Sequence, residues 1–281
     1  MIKLIAVDID GTLLNDQGQI LPATIQAVQR AAAAGQKIVL CTGRPLCGVT
    51  DYLKQLGLWQ QADQYVISYN GSLIQTTTQE TLMSHQLQFS DYLDLLEFAH
   101  QNQAAFSLLT PACMYVTPGD QNSVILKEAE TVGIELQTRT LAEMRALPNL
   151  IPVKGMILDE PAKLDYLQTV MPKDFKQRFT VLRSQKDHLE FTHPLASKES
   201  ALRQLTGLLK IEPTATMAIG DEQNDLGMIK AAGIGVAMGN AVPQLRAIAD
   251  QVTADNNHNG VGEAISKVLS VSAPSTGRQQ S

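Results

Sequence analysis

The sequence predicts an α/β protein in which a parallel sheet, covered by helices, carries an inserted α+β unit. Short apolar runs alternate with helical patterns in the first 70 residues, and the alternation returns after residue 198. Between these two parts, short strands occur in pairs among the helices. Alternating strands and helices favour a parallel sheet, whereas hairpins mixed with helices favour an α+β arrangement.

The first part is predicted to fold as βαβαβ. Its strands are Ile2–Val7, Lys37–Cys41 and Tyr65–Ser68, and its helices are Pro22–Ala34 and Leu46–Leu56. Proline suits the first turn of a helix, and a glycine follows the last residue of the second helix, where glycine commonly ends one. We therefore expect three parallel strands joined by covering helices.

The last part of the chain repeats this alternation. It is predicted to contain the strands Thr216–Ile219 and Ile234–Ala237 and the helices Glu199–Lys210, Glu222–Ala232, Val242–Ala249 and Val261–Leu269. Because crossovers between parallel strands are right-handed, these strands can join the same sheet as the first three.

The middle stretch is predicted to form a separate unit. Its helices are Tyr92–Gln101, Gln121–Val132 and Lys163–Val170, and its strands are Ala105–Leu109, Met114–Thr117, Val153–Leu158, Phe179–Arg183 and His188–Thr192. We expect an inserted domain at residues 83–190 and a discontinuous core of residues 1–82 and 191–270. The mostly polar tail, residues 271–281, is predicted to be disordered.

Composition favours a soluble enzyme or binding protein. The 281 residues are 44% apolar and 18% charged, which excludes a disordered or fibrous chain. A net charge of −6 gives no sign of nucleic-acid binding, and no apolar run reaches the roughly 18 residues of a membrane span. The cysteines, Cys41, Cys47 and Cys113, form no CxxC pair, so we expect reduced thiols and a cytoplasmic location. The oligomeric state is left open.

Acidic residues follow two of the predicted strands. Asp8 and Asp10 follow the first strand, and side chains two apart in an extended segment face the same side. Asp221 ends a later strand, and Asp225 comes one helical turn after it. Oxygen ligands of this kind suit a hard cation, Mg²⁺ before Ca²⁺, and the spacing differs from that of an EF-hand loop.

Candidate phosphate ligands accompany these acids. Thr42 and Gly43 close the second strand, where a hydroxyl and backbone amides can bond phosphate oxygens at the next helix start. Lys198 precedes a helix and offers a point charge. The sequence lacks the GxxxxGK[ST] and GxGxxG loops, so nothing supports a nucleotide-triphosphate or dinucleotide site.

Taken in order, these segments are characteristic. They are Asp8-Ile9-Asp10-Gly11-Thr12, Thr42-Gly43-Arg44, Tyr69-Asn70-Gly71, Lys198, Gly220-Asp221-Glu222-Gln223-Asn224-Asp225 and Gly235–Ala241. Over about residues 1–270 the chain resembles the haloacid dehalogenase-like hydrolases, and within them the Cof-type subgroup with a type IIB (C2B) cap. The likeness is closest to bacterial sugar-phosphate phosphatases. It implies a Rossmann-like parallel-sheet core with an α+β cap inserted between Thr42 and Lys198.

The resemblance also implies a mechanism. Asp8 would be the nucleophile that forms an aspartyl-phosphate, and Asp10 would act as general acid and then as general base. Mg²⁺ would be held by a carboxylate oxygen of Asp8, the backbone carbonyl of Asp10, and Asp221. The expected activity is Mg²⁺-dependent hydrolysis of small phosphorylated metabolites, most of all sugar phosphates.

The remaining motif positions are assigned to phosphate binding and support. The residues expected to hold the phosphoryl oxygens are Ile9 and Gly43 through their amides, Thr42, Lys198 and Asn224. The supporting residues are Asp225, Arg44 and Asn70. One position departs from the family pattern, because Glu199 stands where a glycine usually follows the lysine. We expect Glu199 to point outward.

Two other functions remain open from the sequence. A phosphosugar mutase would use the same Asp8 and Asp10 but transfer the phosphoryl group to a sugar rather than to water. A non-catalytic metabolite-binding module on this fold would have no need of a nucleophile paired with an acid. A requirement for a bisphosphate activator would indicate the mutase.

Overall fold

The computed structural model describes residues 1–272, which form two β-sheets joined by two linkers. The strands are β1 Leu4–Asp8, β2 Lys37–Cys41, β3 Tyr65–Ser68, β4 Leu73–Thr76, β5 Thr81–Ser84, β6 Phe106–Leu109, β7 Cys113–Val116, β8 Glu135–Thr138, β9 Lys154–Leu158, β10 Thr180–Gln185, β11 His188–Thr192, β12 Thr216–Gly220, β13 Ile234–Ala237 and β14 Gln251–Val252. The helices are α1 Pro22–Ala33, α2 Thr50–Leu56, α3 Phe89–Gln101, α4 Ser123–Val132, α5 Leu141–Ala146, α6 Pro161–Val170, α7 Phe175–Arg178, α8 Lys198–Leu208, α9 Leu226–Ala231, α10 Pro243–Ile248 and α11 Gly260–Ser272.

The larger sheet has eight strands in the order β14-β13-β12-β1-β2-β3-β4-β5. The strands from β14 to β3 are parallel, and β4 and β5 add an antiparallel hairpin at one edge. The central parallel strands β1, β2 and β12 are almost wholly apolar and buried, as expected for a sheet covered on both faces. This confirms the predicted fold class. The hairpin was not predicted, because each of its strands has only two adjacent apolar residues, flanked by polar ones, which is too short a run to mark a strand.

The smaller sheet has six strands in the order β10-β11-β9-β6-β7-β8, and only β7 and β8 pair in parallel. The sequence did not predict β8 or α5. The chain passes from the first sheet to the second after Ser84 and returns after Thr192. The last helix runs to Ser272, and the rest of the predicted tail, residues 273–281, lies outside the described residues.

The two units pack against each other through one face of the smaller sheet. Tyr69 and Leu73 of the larger unit belong to the same apolar cluster as Met114 and Met156 of the smaller one. The hydroxyl of Tyr69 donates a hydrogen bond of 2.8 Å to the carbonyl oxygen of Thr110. The opposite face of the smaller sheet is covered by α3 and α6. Within residues 1–272, no helix has the length and hydropathy needed to cross a membrane.

Candidate active site

The predicted site residues gather where the parallel strands of the larger sheet end. Asp8 is the last residue of β1, Thr42 follows β2, Tyr69 follows β3 and Asp221 follows β12. Because β12, β1, β2 and β3 are neighbours and parallel, their carboxyl ends share one edge of the sheet. Open α/β sheets bind their ligands at this edge.

Three buried carboxylates meet there. One oxygen from each of Asp8, Asp221 and Asp225 lies within 4.8 Å of the others. Burial raises the pKa of Asp8 well above its ordinary value, and the charges of Asp225 and Asp221 raise it further. Burial raises the pKa of Asp221 to about 6, and Asp225 adds to the rise. The cluster therefore concentrates negative charge that a cation would neutralise.

Lys198 supplies part of that positive charge. Its Nζ lies 2.5 Å from Asp8 Oδ1 and 2.7 Å from Asp225 Oδ1, and its side chain is 1% exposed. Burial lowers the pKa of Lys198, but the charges of Asp225 and Asp8 outweigh it, so that the pKa stands above its ordinary value. Lys198 is the first residue of α8, whose N-cap is Ser197. The lysine is therefore charged and fixed between the two carboxylates.

Asp225 and Asp221 have different surroundings. Both oxygens of Asp225 are engaged: Oδ1 by Lys198, and Oδ2 by the backbone amides of Asp221 at 3.0 Å and Glu222 at 3.1 Å. Asp221 Oδ1 accepts a hydrogen bond of 2.7 Å from the Thr12 hydroxyl. Asp225 is thus held through both oxygens, whereas Asp221 Oδ2 has only a longer contact, 3.5 Å from Asn240 Nδ2.

Gly11 makes room for Asp221. It has φ of +81°, and a Cβ at this position would lie 2.4 Å from Asp221 Oδ2. A side chain would therefore be strained by the backbone and would collide with the carboxylate. The glycine of the Asp8–Thr12 segment lets the turn after β1 approach Asp221 closely.

Asp10 lies apart from the buried cluster. β1 ends at Asp8, and residues Ile9–Leu13 form a tight turn, so strand alternation does not continue through Asp10. The Asp10 side chain is 59% exposed and pairs with Arg44 through two contacts, Nη2 to Oδ1 at 2.6 Å and Nε to Oδ2 at 3.0 Å. Bidentate pairing fixes the plane as well as the position of a carboxylate. Arg44 therefore fixes the orientation of the exposed Asp10 carboxylate.

The predicted phosphate ligands from neighbouring strand ends lie close to one another. The Thr42 hydroxyl is buried and accepts a hydrogen bond of 3.0 Å from the Arg44 amide, which leaves its own proton free to donate. The side-chain Nδ2 of Asn224 donates to Asn70 Oδ1 at 3.2 Å. The backbone N–H of Asn70 donates to the Thr42 carbonyl oxygen at 2.9 Å. These contacts join the segments that follow β2, β3 and β12.

Sequence reasoning missed two residues of this site. Thr12 holds Asp221, and Asn240 Nδ2 donates to the Gly11 carbonyl oxygen at 2.8 Å. Both lie inside segments that carry the family resemblance, and their place in those segments is the sequence feature that could have identified them. Their roles depend on contacts between distant parts of the chain, which spacing alone does not specify.

Glu199 points away from the cluster, in agreement with the expectation. Its Oε1 accepts a hydrogen bond of 3.0 Å from Arg203 Nε, and its side chain is 41% exposed. It covers Gly227 of α9, where a Cβ would lie 2.6 Å from Glu199 Oε2. A glycine on the neighbouring helix thus accommodates the side chain that replaces the usual glycine.

The donor set fits a hard divalent cation. The three clustered side chains offer only oxygen atoms, and one lysine faces them. Carboxylate oxygens are the ligands such cations prefer, and the raised pKa of Asp8 and Asp221 shows that a nearby positive charge would be favourable.

Comparisons with known proteins agree with this geometry. Residues 5–265 match the model of the haloacid dehalogenase-like hydrolase family. The chain is 40% identical over 270 residues to "Putative phosphatase YxeH" of Bacillus subtilis (strain 168), covering 96% of this chain and 99% of that one. It is 28% identical to the B. subtilis 5-amino-6-(5-phospho-D-ribitylamino)uracil phosphatase YcsE, covering 94% of each. A crystal structure of a haloacid dehalogenase-like hydrolase from Bacteroides thetaiotaomicron superposes with a TM-score of 0.86 at 28% identity, covering 95% of this chain and 100% of that one.

Proposed function

Since the chain belongs to the haloacid dehalogenase-like hydrolases, Cof type, and is a phosphoric monoester hydrolase, we propose that it hydrolyses small phosphorylated metabolites, sugar phosphates above all, with Mg²⁺ and through an aspartyl-phosphate. The observation that carries this proposal is the buried arrangement of Asp8, Lys198, Asp225 and Asp221 at the strand ends. A binding module would not require a carboxylate held in this way beside a phosphate-binding lysine.

In the first step, a carboxylate oxygen of Asp8 attacks phosphorus, and the bond from phosphorus to the ester oxygen breaks. A protonated Asp10 would give its proton to the departing alkoxide, which leaves as an alcohol, so its ion pair with Arg44 must open for this step. In the second step, Asp10 takes a proton from water, the water oxygen attacks the phosphorus, and the bond from phosphorus to Asp8 breaks. Between turnovers Arg44 would hold Asp10 in its exposed position.

An anionic nucleophile approaches an anionic substrate in this reaction. Lys198 lowers the repulsion because its Nζ lies 2.5 Å from the attacking carboxylate. The Thr42 hydroxyl, the amides of Ile9 and Gly43, and the Asn224 amide group would hold the phosphoryl oxygens. Asp8, Asp221 and the Asp10 carbonyl would hold Mg²⁺, which when bound would neutralise charge on the phosphoryl group and the carboxylates.

The smaller unit would act as a cap over this site. We assign it residues 83–190 and the core residues 1–82 and 191–270, within two residues of where the chain passes between the sheets. A cap that packs through Tyr69 favours small substrates over phosphoproteins and would exclude bulk water. The relative named for a phosphoribityl substrate acts on a phosphorylated polyol, which supports the same substrate class here. Neither a nucleic-acid nor a membrane partner is proposed, and the location proposed is the cytoplasm.

The test is release of inorganic phosphate from a panel of sugar phosphates, nucleotides, flavin mononucleotide and pyridoxal phosphate, with Mg²⁺ and with a chelator. Asp8→Asn is the control, because it is nearly isosteric and removes the nucleophile. We expect Mg²⁺-dependent release that is lost in the variant. Full activity of Asp8→Asn would refute the covalent mechanism. Release that requires a bisphosphate activator would indicate the mutase instead.

A further inference from the structure

A buried polar group lies on the core-facing side of the cap sheet. Glu190 of β11 stands opposite Met156 of β9, and Met156 stands opposite Ser107 of β6. Residues directly opposite each other in neighbouring strands point to the same face. Met156 packs in the cluster that contains Tyr69 of the core, so this face looks toward the core. Lys154, two residues before Met156, lies on the same face.

Lys154 and Glu190 form an ion pair within this group. Lys154 Nζ lies 3.1 Å from Glu190 Oε1, and the two side chains are only 4% and 7% exposed. The Ser184 hydroxyl donates to the same Oε1 at 2.8 Å. Neither side chain reaches bulk water, so the pair has been taken out of solvent at a substantial desolvation cost.

The group has unused hydrogen-bonding capacity. Glu190 Oε2 and Ser107 Oγ are buried and have no hydrogen-bond partner among the described residues. Buried polar atoms are nearly always paired, and leaving one unpaired is destabilising. A carboxylate oxygen and a hydroxyl without partners on one face therefore indicate a ligand that supplies them.

One contact places the group next to the active site, and charge interactions extend from it. Lys154 Nζ lies 5.8 Å from the centroid of the Tyr69 ring, and Tyr69 immediately precedes Asn70 of the phosphate-binding segments. On the same side, Glu128 of α4 pairs with His188 at 3.2 Å. Burial raises the pKa of Glu128, but His188, Lys154 and Arg44 together bring it below its ordinary value. Arg44, whose charge acts on Glu128, also pairs with Asp10 at 2.6 Å, which links the cap cluster electrostatically to the proposed acid–base.

The charges of this group select among possible leaving groups. Lys154 and Glu190 cancel each other, so a second anionic group on the substrate would gain little from one and be repelled by the other. A flat apolar ring would leave Glu190 Oε2 and Ser107 Oγ without hydrogen-bond partners. Neighbouring hydroxyls match the pair, because one can accept a hydrogen bond from Lys154 while the next donates to Glu190 Oε2.

We propose that Lys154 and Glu190 are specificity-determining residues that bind vicinal hydroxyls of the leaving group, with Ser107 as a third partner. The inference rests on the proposed phosphatase function, which it deepens by naming the cap residues that recognise the substrate. A purely structural pair would be an alternative, but apolar residues of similar volume usually serve stability as well as a buried ion pair does.

The test compares kcat/KM for glucose 6-phosphate, which has vicinal hydroxyls, with kcat/KM for phenyl phosphate, which has none. In Lys154→Met and in Glu190→Gln we expect the ratio of the two values to fall about 10- to 100-fold, the range expected for losing a hydrogen bond to a charged group. The matched controls are Lys176→Met on α7 and Glu97→Gln on α3, which are exposed on helices that cover the other face of the cap sheet. Their ratios should equal that of the unaltered protein.

The outcomes separate the two proposals. An unchanged ratio in both cap variants, or an equal loss with both substrates, would overturn this inference. Hydrolysis of phenyl phosphate with no activity on any polyol phosphate would also overturn it and would leave the phosphatase function standing. No hydrolysis of either ester would overturn both. If Lys154→Met fails to fold, the double variant Lys154→Met/Glu190→Met removes both charges together and gives the same comparison.

Discussion

A substitution in the turn Tyr69–Gly71 allows the effect of backbone strain on stability to be separated from the effect of a displaced Lys198 on activity. Gly71 has φ of +103°, and a Cβ there would lie 2.2 Å from the carbonyl oxygen of Ser197. The Cβ position is fixed by the backbone of residue 71, and the atoms that it meets are backbone atoms of Ser197, so no side-chain rotation can relieve the clash. In Gly71→Ala, the turn and the start of α8 must separate by at least 1.2 Å to go from 2.2 Å to an ordinary contact of 3.4 Å. Lys198 follows Ser197 directly and would move with it.

The chain provides a matched control. Gly119 in the cap has φ of +100° and nothing within 4 Å of its ideal Cβ. Gly119→Ala should therefore lose only the cost of a left-handed backbone, roughly 1–2 kcal/mol of unfolding free energy, with no loss of activity. Gly71→Ala bears the same cost and a further overpacking cost of roughly 1–3 kcal/mol. A displacement of about 1 Å at Lys198 should lower kcat/KM about 100-fold.

Urea denaturation and phosphate release from one ester measure the two quantities. If Gly71→Ala matches Gly119→Ala in both stability and kcat/KM, contact between this turn and α8 does not position Lys198, and the reasoning fails.

Three further predictions follow from the same contacts. Asp221→Ala should raise the Mg²⁺ concentration for half-maximal activity at least tenfold, as a metal titration would reveal, and an unchanged response would remove Asp221 from the metal site. Burial lowers the pKa of His188, but Glu128 and Asp187 bring it above its ordinary value. Protonated His188 therefore contributes its full share to the free energy of unfolding below the pKa of about 6.5 that it has in the unfolded chain. This contribution is lost as the pH rises through its higher pKa in the folded protein. Urea denaturation of His188→Gln should show a stability deficit that shrinks from pH 6 to pH 9, and a deficit constant with pH would contradict the assignment. Finally, Glu199→Gly should leave KM within about threefold, because Glu199 pairs with Arg203 outside the cluster. A much lower KM would mean that Glu199 weakens phosphate binding.

The parallel core was predictable because its signals are local. The strands are apolar runs, and acids or polar residues follow them directly, so topology alone brings Asp8, Thr42 and Asp221 to one edge. The closeness of Asp221 and Asp225 also follows from a spacing of four residues. In these cases a short stretch of sequence determines both the strand and the edge of the sheet at which the residues after it lie.

Other features depend on partners far apart in the chain. The exposed pairing of Asp10 with Arg44 joins segments after two different strands, and strand periodicity could not indicate it. β4 is buried although it contains Gln75 and Thr76, since both side chains find hydrogen-bond partners within the hairpin. The cap residues that face the core carry no motif.

The conformation of the turn after β3 is fixed by contacts from both units. Tyr69 and Asn70 have φ of +52° and +54°, and Gly71 continues with a positive φ. Non-glycine residues adopt this conformation at a cost and keep it only where surrounding contacts enforce it. Three contacts do so: Tyr69 bonds the cap at Thr110, Asn70 accepts from Asn224 of the core, and Gly71 abuts Ser197. The backbone that seats the cap is therefore the backbone that orders Asn224 and Lys198. A cap displaced from Tyr69 would relax the turn, so closure of the cap and assembly of the phosphate site are expected to occur together.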